Sequence, residues 1–216
     1  MAYIYKTGRA ELHDQIKKHA HVISGKVLDI GSSSFARYQN LFTFSEYIKM
    51  DVEKKKGVDV VGKIENLPFP DNSFDSIVCT QVLGDVFELK KAFMEMKRVL
   101  KPNGVALITE SLFDPLHDEP NDFWRFTEHS LNRLAKEAGL NVEIIEKRGG
   151  FWSMMVQLKA RYAIELLHAN KWFIGRLMSP FLKVEGTIAR FLDRIDSSQS
   201  NKSFTHGYIL IIRKHA

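Results

Sequence analysis

Lys26-Val-Leu-Asp-Ile-Gly-Ser-Ser-Ser34, followed about twenty residues later by Tyr47-Ile-Lys-Met-Asp51, is the stretch that decides the fold. An apolar run broken by Gly31 and small hydroxyl residues reads as a buried parallel strand entering a tight turn. A second apolar run ending in an acid, Asp51, is what an α/β sheet offers to the ribose of an adenosine-bearing cofactor. The pair predicts a nucleotide-type ligand at the carboxyl ends of the strands.

The remaining periodicity extends this pattern in both directions. Ala10 to Ala20 reads as a short amphipathic helix leading in, and Val27 to Ile30 as the first strand. Phe35, Tyr38, Leu41 and Phe42 predict a short crossover helix over Phe35–Phe44, before strand two at Tyr47–Val52 and a short third strand at Val58–Val61. Ser73–Thr80 is dense enough in apolar residues for a central strand. Val86–Leu100 carries one apolar stripe against a charged face and stops at Lys101-Pro-Asn-Gly104, read as a turn. Strand five follows at Val105–Thr109. Thr127 is placed to cap a helix closed by Gly139, before strand six at Asn141–Glu146 and a last strand at Gly207–Arg213. Alternating strands and helices predict a parallel sheet covered on both faces.

Composition bounds the function. The 216 residues suffice for one well-buried α/β domain with an appendage. The net charge of +5 is a mild excess, and Lys54-Lys55-Lys56 is the only run of three lysines or arginines, so no nucleic-acid partner is expected. The lone Cys79 sits in an apolar run, which points to a reducing cytoplasm. The N-terminus lacks the long apolar core of a secretory signal, and no window has the apolar length of a bilayer span. No metal-ligand set is expected.

These residues resemble a family. Val27-Leu-Asp-Ile-Gly31, Asp51, Asn66-Leu-Pro-Phe-Pro-Asp-Asn-Ser-Phe-Asp75, Val82-Leu83 and Arg98-Val-Leu-Lys-Pro-Asn-Gly104 stand in the order seen in class I S-adenosylmethionine-dependent methyltransferases of the type 11 branch. The likeness runs from about Gly25 to Gly139 and resumes at Gly207–Lys214. Asp122-Phe-Trp-Arg-Phe-Thr127, preceded by His117 and Pro120, is similar to a segment of bacterial members whose genes are often associated with surface-polysaccharide and glycan biosynthesis. The resemblance implies a Rossmann-like doubly wound α/β sheet of seven strands, mostly parallel with the last antiparallel. It also implies S-adenosyl-L-methionine as cofactor, S-adenosyl-L-homocysteine as product, and methyl transfer to a small-molecule or glycan acceptor.

The resemblance likewise implies site residues. Asp29, Gly31, Ser32 and Ser33 would curl under the methionine part of the cofactor, although Ser33 and Phe35 stand where relatives carry further glycines. Asp51 would accept from the ribose hydroxyls, with Val52 beside it and Ile64 and Glu65 near the adenine. Lys63 replaces the acid that contacts the adenine amine in relatives. Thr80 and Gln81 would sit near the sulfonium. Where relatives read Leu-Glu-His-Val this chain has Leu83-Gly-Asp-Val86, with Asp85 read as the cap of the next helix. An oxygen acceptor needs a proton sink, which makes His117 the expected general base, Asp122 its orienter or a substrate-binding group, and Arg125 a clamp for an anionic group. The competing reading has Asp122 and Arg125 simply pairing to lock the loop. The reduced glycine loop, Lys63 and Gly84-Asp85 also fit a module that binds cofactor without turnover. A nicotinamide oxidoreductase is disfavoured, because strand one lacks the Gly-x-Gly-x-x-Gly spacing.

The chain is expected to be a single methyltransferase domain, residues 1–216, with a helical insertion at 151–196. That insertion departs from the minimal fold. Met154, Met155, Leu158, Tyr162, Leu166, Trp172, Phe173, Leu177, Ile188, Phe191, Leu192 and Ile195 predict two or three amphipathic helices. Lys159, Arg161, Lys171, Arg176, Lys183, Arg190 and Arg194 outnumber its acids. It reads as a lid, as a surface for a homodimer, or as a platform that makes a cytoplasmic protein membrane-peripheral. Ser197–Ser203 reads as a polar loop.

Overall fold

The computed structural model describes residues 5–33, 36–169 and 172–215. The described chain divides into two compact units. One holds Ile16–Lys147 and the chain from Gly207 onward; the other holds the chain up to Gln15 together with Arg148–His206. The second unit joins the expected insertion to the start of the chain.

The first unit is a seven-stranded sheet in the order β3-β2-β1-β4-β5-β7-β6. Its strands are β1 (Lys26–Ile30), β2 (Glu46–Asp51), β3 (Val60–Val61), β4 (Phe74–Thr80), β5 (Leu100–Ser111), β6 (Asn141–Arg148) and β7 (Gly207–Arg213). β1 pairs in parallel with β2 and β4, β2 with β3, and β4 with β5, whereas β7 runs antiparallel to β5. The strand order reverses between β1 and β4. That gap is where ligands settle in open α/β sheets, because the flanking connections leave opposite faces and open a crevice.

Two helices supply much of the apolar cover. In α2 (Leu89–Val99), Ala92, Phe93, Met96 and Val99 are buried in one row at helical spacing. In α3 (Glu128–Glu137), Leu131 and Ala135 are buried, and Thr127 caps the first turn by accepting the Ser130 N–H at 3.2 Å. Their buried residues share one core with Leu28, Ile30, Ile77, Cys79, Ala106, Ile108, Leu210 and Ile212 from the strands.

Several local expectations are corrected. Among the described residues between β1 and β2 stands a single 3-10 turn, Gln39–Leu41, in place of a helix over Phe35–Phe44 (Phe35 itself lies outside the described residues). Left-handed backbone at Ser33 and Ala36 (φ 51° and 38°) interrupts any helical run, and Phe42 is already extended. Lys101–Gly104 is not a turn but part of the opening of β5, which starts at Leu100 and in which Asn103 takes φ 64° and donates its N–H to the Lys214 carbonyl at 2.9 Å. Pro102 fits there because the pairing with β4 slips between Phe74 and Ser76.

The second unit contains α4 (Phe151–Leu166), α5 (Trp172–Ile195) and α6 (Gln199–Ser203), plus the first part of α1 (Thr7–His19). Ser197–Ser203, expected as a loop, holds α6. Its Asn201 is buried, accepting the Phe151 N–H at 2.9 Å and donating to the carbonyls of Asp193 and Asp196 at 2.8 Å. Lys171 lies outside the described residues.

Candidate active site

Gly31 closes β1 with φ +70°, a conformation that costs glycine little. A Cβ there would clash with a Val82 methyl, so glycine lets the β1 tip approach the turn after β4. The turn is stapled to β2 by the Gly31 and Ser32 N–H groups, which donate to the Met50 carbonyl at 2.9 and 3.2 Å. Asp51, the next residue of β2, is buried. Its Oδ2 accepts the Ser33 N–H at 3.0 Å and its Oδ1 the Glu53 N–H at 3.1 Å, with Lys55 Nζ 3.6 Å from Oδ1. Each oxygen keeps further acceptor capacity, in a fixed orientation.

A cleft of about 810 Å³ opens beside this carboxylate. Of the residues expected at a cofactor, Gly31, Asp51, Val52, Ile64, Glu65 and Gln81 line it. Asp29, Ser32, Ser33 and Thr80 are not on its wall. Ser33 still acts on it by orienting Asp51. Asp29 accepts the Tyr47 hydroxyl at 2.8 Å, and burial pushes its carboxyl up to about 7. Lys63 stands on the wall, as do the acids Asp51, Glu53, Glu65, Asp85, Asp118 and Glu119. Acids outnumber bases around the cleft, a setting that favours a cationic ligand.

Glu110 is a site residue that the sequence reading missed, although an acid two residues after the apolar run Val105–Ile108 was a signal. It is buried, accepts the Val82 and Leu83 N–H groups at 3.1 and 2.8 Å, and burial raises its carboxyl to about 7. It thereby fastens the 3-10 turn Leu83–Asp85. That turn corrects the reading of Asp85. α2 begins only at Leu89, with Glu88 at its cap position, so Asp85 does not cap it and faces the cleft. Burial raises its carboxyl above the ordinary range, and His117 opposes the rise.

The loop after β5 resolves the remaining three candidates. His117 Nδ1 lies 3.0 Å from the Pro115 carbonyl, an acceptor only, so Nδ1 carries the proton there. In the neutral ring Nε2 is then the basic nitrogen, and it stands 3.9 Å from Asp85 Oδ1. His117 itself is not on the cleft wall. Asp122 accepts the His117 N–H at 3.0 Å and the Arg125 guanidinium in bidentate fashion at 2.6 and 2.9 Å, which holds its carboxyl well below the usual range.

Arg125 also donates to the carbonyls of Asp114, Pro115 and Trp124, which uses all five of its N–H groups. It has none left for an anionic substrate. The expected clamp is a brace that locks the loop. Further stitches join the loop to the 3-10 turn: Phe123 and Trp124 N–H donate to the Gly84 carbonyl at 2.9 and 3.1 Å, and the Trp124 indole donates to the Val86 carbonyl at 2.9 Å.

Residues 27–108 match the family model for a methyltransferase domain, type 11. Over this segment the chain is similar to the class I S-adenosylmethionine-dependent methyltransferases. The ubiquinone/menaquinone biosynthesis C-methyltransferase UbiE of Cronobacter sakazakii is 39% identical over 106 residues, covering 43% of this chain and 41% of that protein. Its counterpart in Haemophilus ducreyi is 35% identical over 109 residues, covering 47% and 41%. The chain thus spans about two fifths of the length of these curated relatives. Among solved structures, the 4+2 cyclase SpnF aligns with a TM-score of 0.59 at 21% identity, covering 96% of this chain and 81% of that one. Phosphoethanolamine N-methyltransferase 2 of Haemonchus contortus, solved with S-adenosyl-L-methionine, aligns with a TM-score of 0.57 at 16% identity, covering 94% and 52%. These alignments agree on the Rossmann-like methyltransferase fold.

The family's cofactor is S-adenosyl-L-methionine, and the residues present fit it. The carboxylate of Asp51 is pre-oriented by two backbone amides, Gly31 leaves the backbone open beside it, and the surplus of acids suits a sulfonium.

Proposed function

We propose that this protein transfers the methyl group of S-adenosyl-L-methionine to a hydroxyl oxygen of a small-molecule or glycan acceptor. The observation that carries the reading is Asp51, buried beside an acid-rich cleft at the switch point and held by the Ser33 and Glu53 amides. Bound there, the cofactor would supply a methyl activated by positive sulfur. Asp51 would accept from the ribose hydroxyls, with Gly31 giving close backbone approach and Val52 and Ile64 packing the adenine. Glu65 or a backbone carbonyl would take the contact that Lys63 is unable to make, since an ammonium has no acceptor. Ser32, Ser33, Thr80 and Gln81 would shape the methionine end, and Asp29 would hold the β1 tip through Tyr47.

A hydroxyl acceptor must lose a proton. His117 Nε2, with Asp85 between it and the cleft, is the proposed sink, and Asp122 with Arg125 positions it. The product would be S-adenosyl-L-homocysteine, and the setting cytoplasmic. An acidic carbon must lose a proton as well, and the UbiE relatives are named as C-methyltransferases, so carbon is the second acceptor class. The insertion at 151–196 would add a partner surface, either a membrane or a second copy of the chain.

Calorimetry with S-adenosyl-L-methionine and its demethylated product tests the first step. Wild type binds both, and Asp51→Ala weakens binding more than tenfold; unchanged affinity overturns the site. A panel of hydroxyl, carbon-acid and amine acceptors then assigns the atom. Tight binding with no turnover on any of them identifies a catalytically reduced module instead.

A further inference from the structure

We propose that the α4–α5 hairpin docks flat on an anionic lipid surface, with an apolar row of α5 in the acyl boundary and its basic flank on the headgroups. The argument rests on the second unit alone and is independent of the methyl-transfer reading.

A surface helix of a globular protein normally has two sides, one apolar and buried, one polar and wet. α5 has three. Met178, Leu182 and Ala189 face the unit's interior. Leu177, Phe181, Val184, Ile188, Phe191 and Ile195 follow one another at steps of four and three, and each is 55–72% exposed. At about 100° per residue they occupy an arc of roughly 80°, turned about 120° from the buried side. Lys183 and Arg194 are exposed on a third side, on the order of 100° around from the centre of the apolar row. No Asp or Glu of α5 itself shares that basic side, and the neighbouring Arg190 pairs with Asp14 of α1 at 2.6 Å.

A second outward row lies on α4, where Trp152, Met155, Leu158, Tyr162 and Leu166 are 39–69% exposed. The Lys159–Glu185 ion pair links the two helices on the same outward side. The α4 row carries a Trp and a Tyr, side chains that favour a membrane interface. Two of the hairpin's three acids are committed elsewhere, and the third, Glu165 of α4, is exposed. Glu185 pairs with Lys159, and the Asp193 carboxylate accepts the N–H groups of Gly150, Trp152 and Ser153 at 2.9–3.1 Å.

Charge selects lipid over a second copy. Steps of three and four would also suit a coiled coil, which needs opposite charges on the flanks of its seam. The free flank here carries Pro180, Thr187 and Arg194, while Met178 and Glu185 on the other flank are engaged within the unit. A two-fold copy would bring no acid to Arg194. Anionic headgroups supply the missing charge. Among the described residues no helix is long and apolar enough to cross a membrane, so contact lies in the plane of the surface.

The test is co-sedimentation of the full chain, without cofactor, with vesicles of phosphatidylcholine alone or mixed with phosphatidylglycerol. Wild type is expected to bind the mixed vesicles at least tenfold more tightly, and salt should weaken that preference. Lys183→Glu with Arg194→Glu should abolish the preference, while Phe181→Ser with Phe191→Ser should abolish binding to both. Unchanged far-ultraviolet circular dichroism certifies the fold of each variant. Wild type left in the supernatant with anionic vesicles overturns the proposal. So does a stable dimer in light scattering that Phe181→Ser with Phe191→Ser converts to monomer. Failure here leaves the Asp51 calorimetry untouched, and failure of that calorimetry leaves this result standing.

Discussion

The sheet unit and the hairpin unit distribute polarity in opposite ways. The first buries Phe74, Phe93, Leu83 and Leu107 and brings its acids to one edge, at the strand tips. The second buries Glu11, Arg148, Ser153, Asn201, Thr205 and His206, and turns phenylalanine, leucine and isoleucine outward along α5. Its apolar cluster is small, built on Tyr5, Ala160, Ile164, Ala169 and Leu182. A seven-stranded sheet encloses enough volume for a dry core, whereas a helical pair with a strap does not. Hydrophobic burial therefore holds the sheet unit. Caps and charged hydrogen bonds carry more of the load in the hairpin, such as Asp193 on the α4 amides.

The sharpest way to break this contrast is to cut the same side chain in both units. Phe93→Ala, in the sheet core, should lower stability by about 3–5 kcal/mol in denaturant unfolding. Asp193→Ala should come next, at about 2–3 kcal/mol, because three amides lose a charged acceptor. Hydrogen exchange should place that loss at the start of α4. The pH response is smaller and has a definite sign. Glu11 and Glu110 titrate at about 7 when folded, against 4.5 for an ordinary glutamate, so the folded chain holds extra protons between those values. Stability should therefore fall as pH rises from about 4.5 to 7, by at most about 1.4 kcal/mol per unit for each group. Glu11→Gln and Glu110→Gln should each flatten the melting profile across that window. Smallest of all, Phe191→Ser should change stability by less than about 0.5 kcal/mol, since its ring is already in water. A loss for Phe191→Ser comparable with that of Phe93→Ala would end the comparison.

Much of the sheet unit was legible because its signals are local. Apolar runs, Gly31, the Thr127 cap and Gly139 mark elements through backbone geometry, and the strands at 74–80 and 207–213 emerge within a residue of their expected bounds. The cofactor wall was legible for Gly31, Asp51, Val52, Ile64, Glu65 and Gln81 because a strand tip and the turn after it are contiguous in the chain. Asp85, Asp118 and Glu119 reach the cleft only through long-range contacts. A helix cap and a wall carboxylate look alike until the 3-10 turn at Leu83–Asp85 pushes α2 three residues further on. Arg125 failed as a clamp for the same reason: its five partners come from a folded-back loop that no spacing rule encodes.

By itself the sequence determined an alternating α/β sheet, an acid at the tip of the second strand, and an amphipathic insertion, because hydrophobic period and turn chemistry act over a few residues. Tertiary structure alone decided which carboxylates share the cleft, which arginine is already satisfied, and which face of α5 stays uncovered. Those outcomes depend on burial and pairing between segments far apart in the chain, and only the folded molecule brings them together.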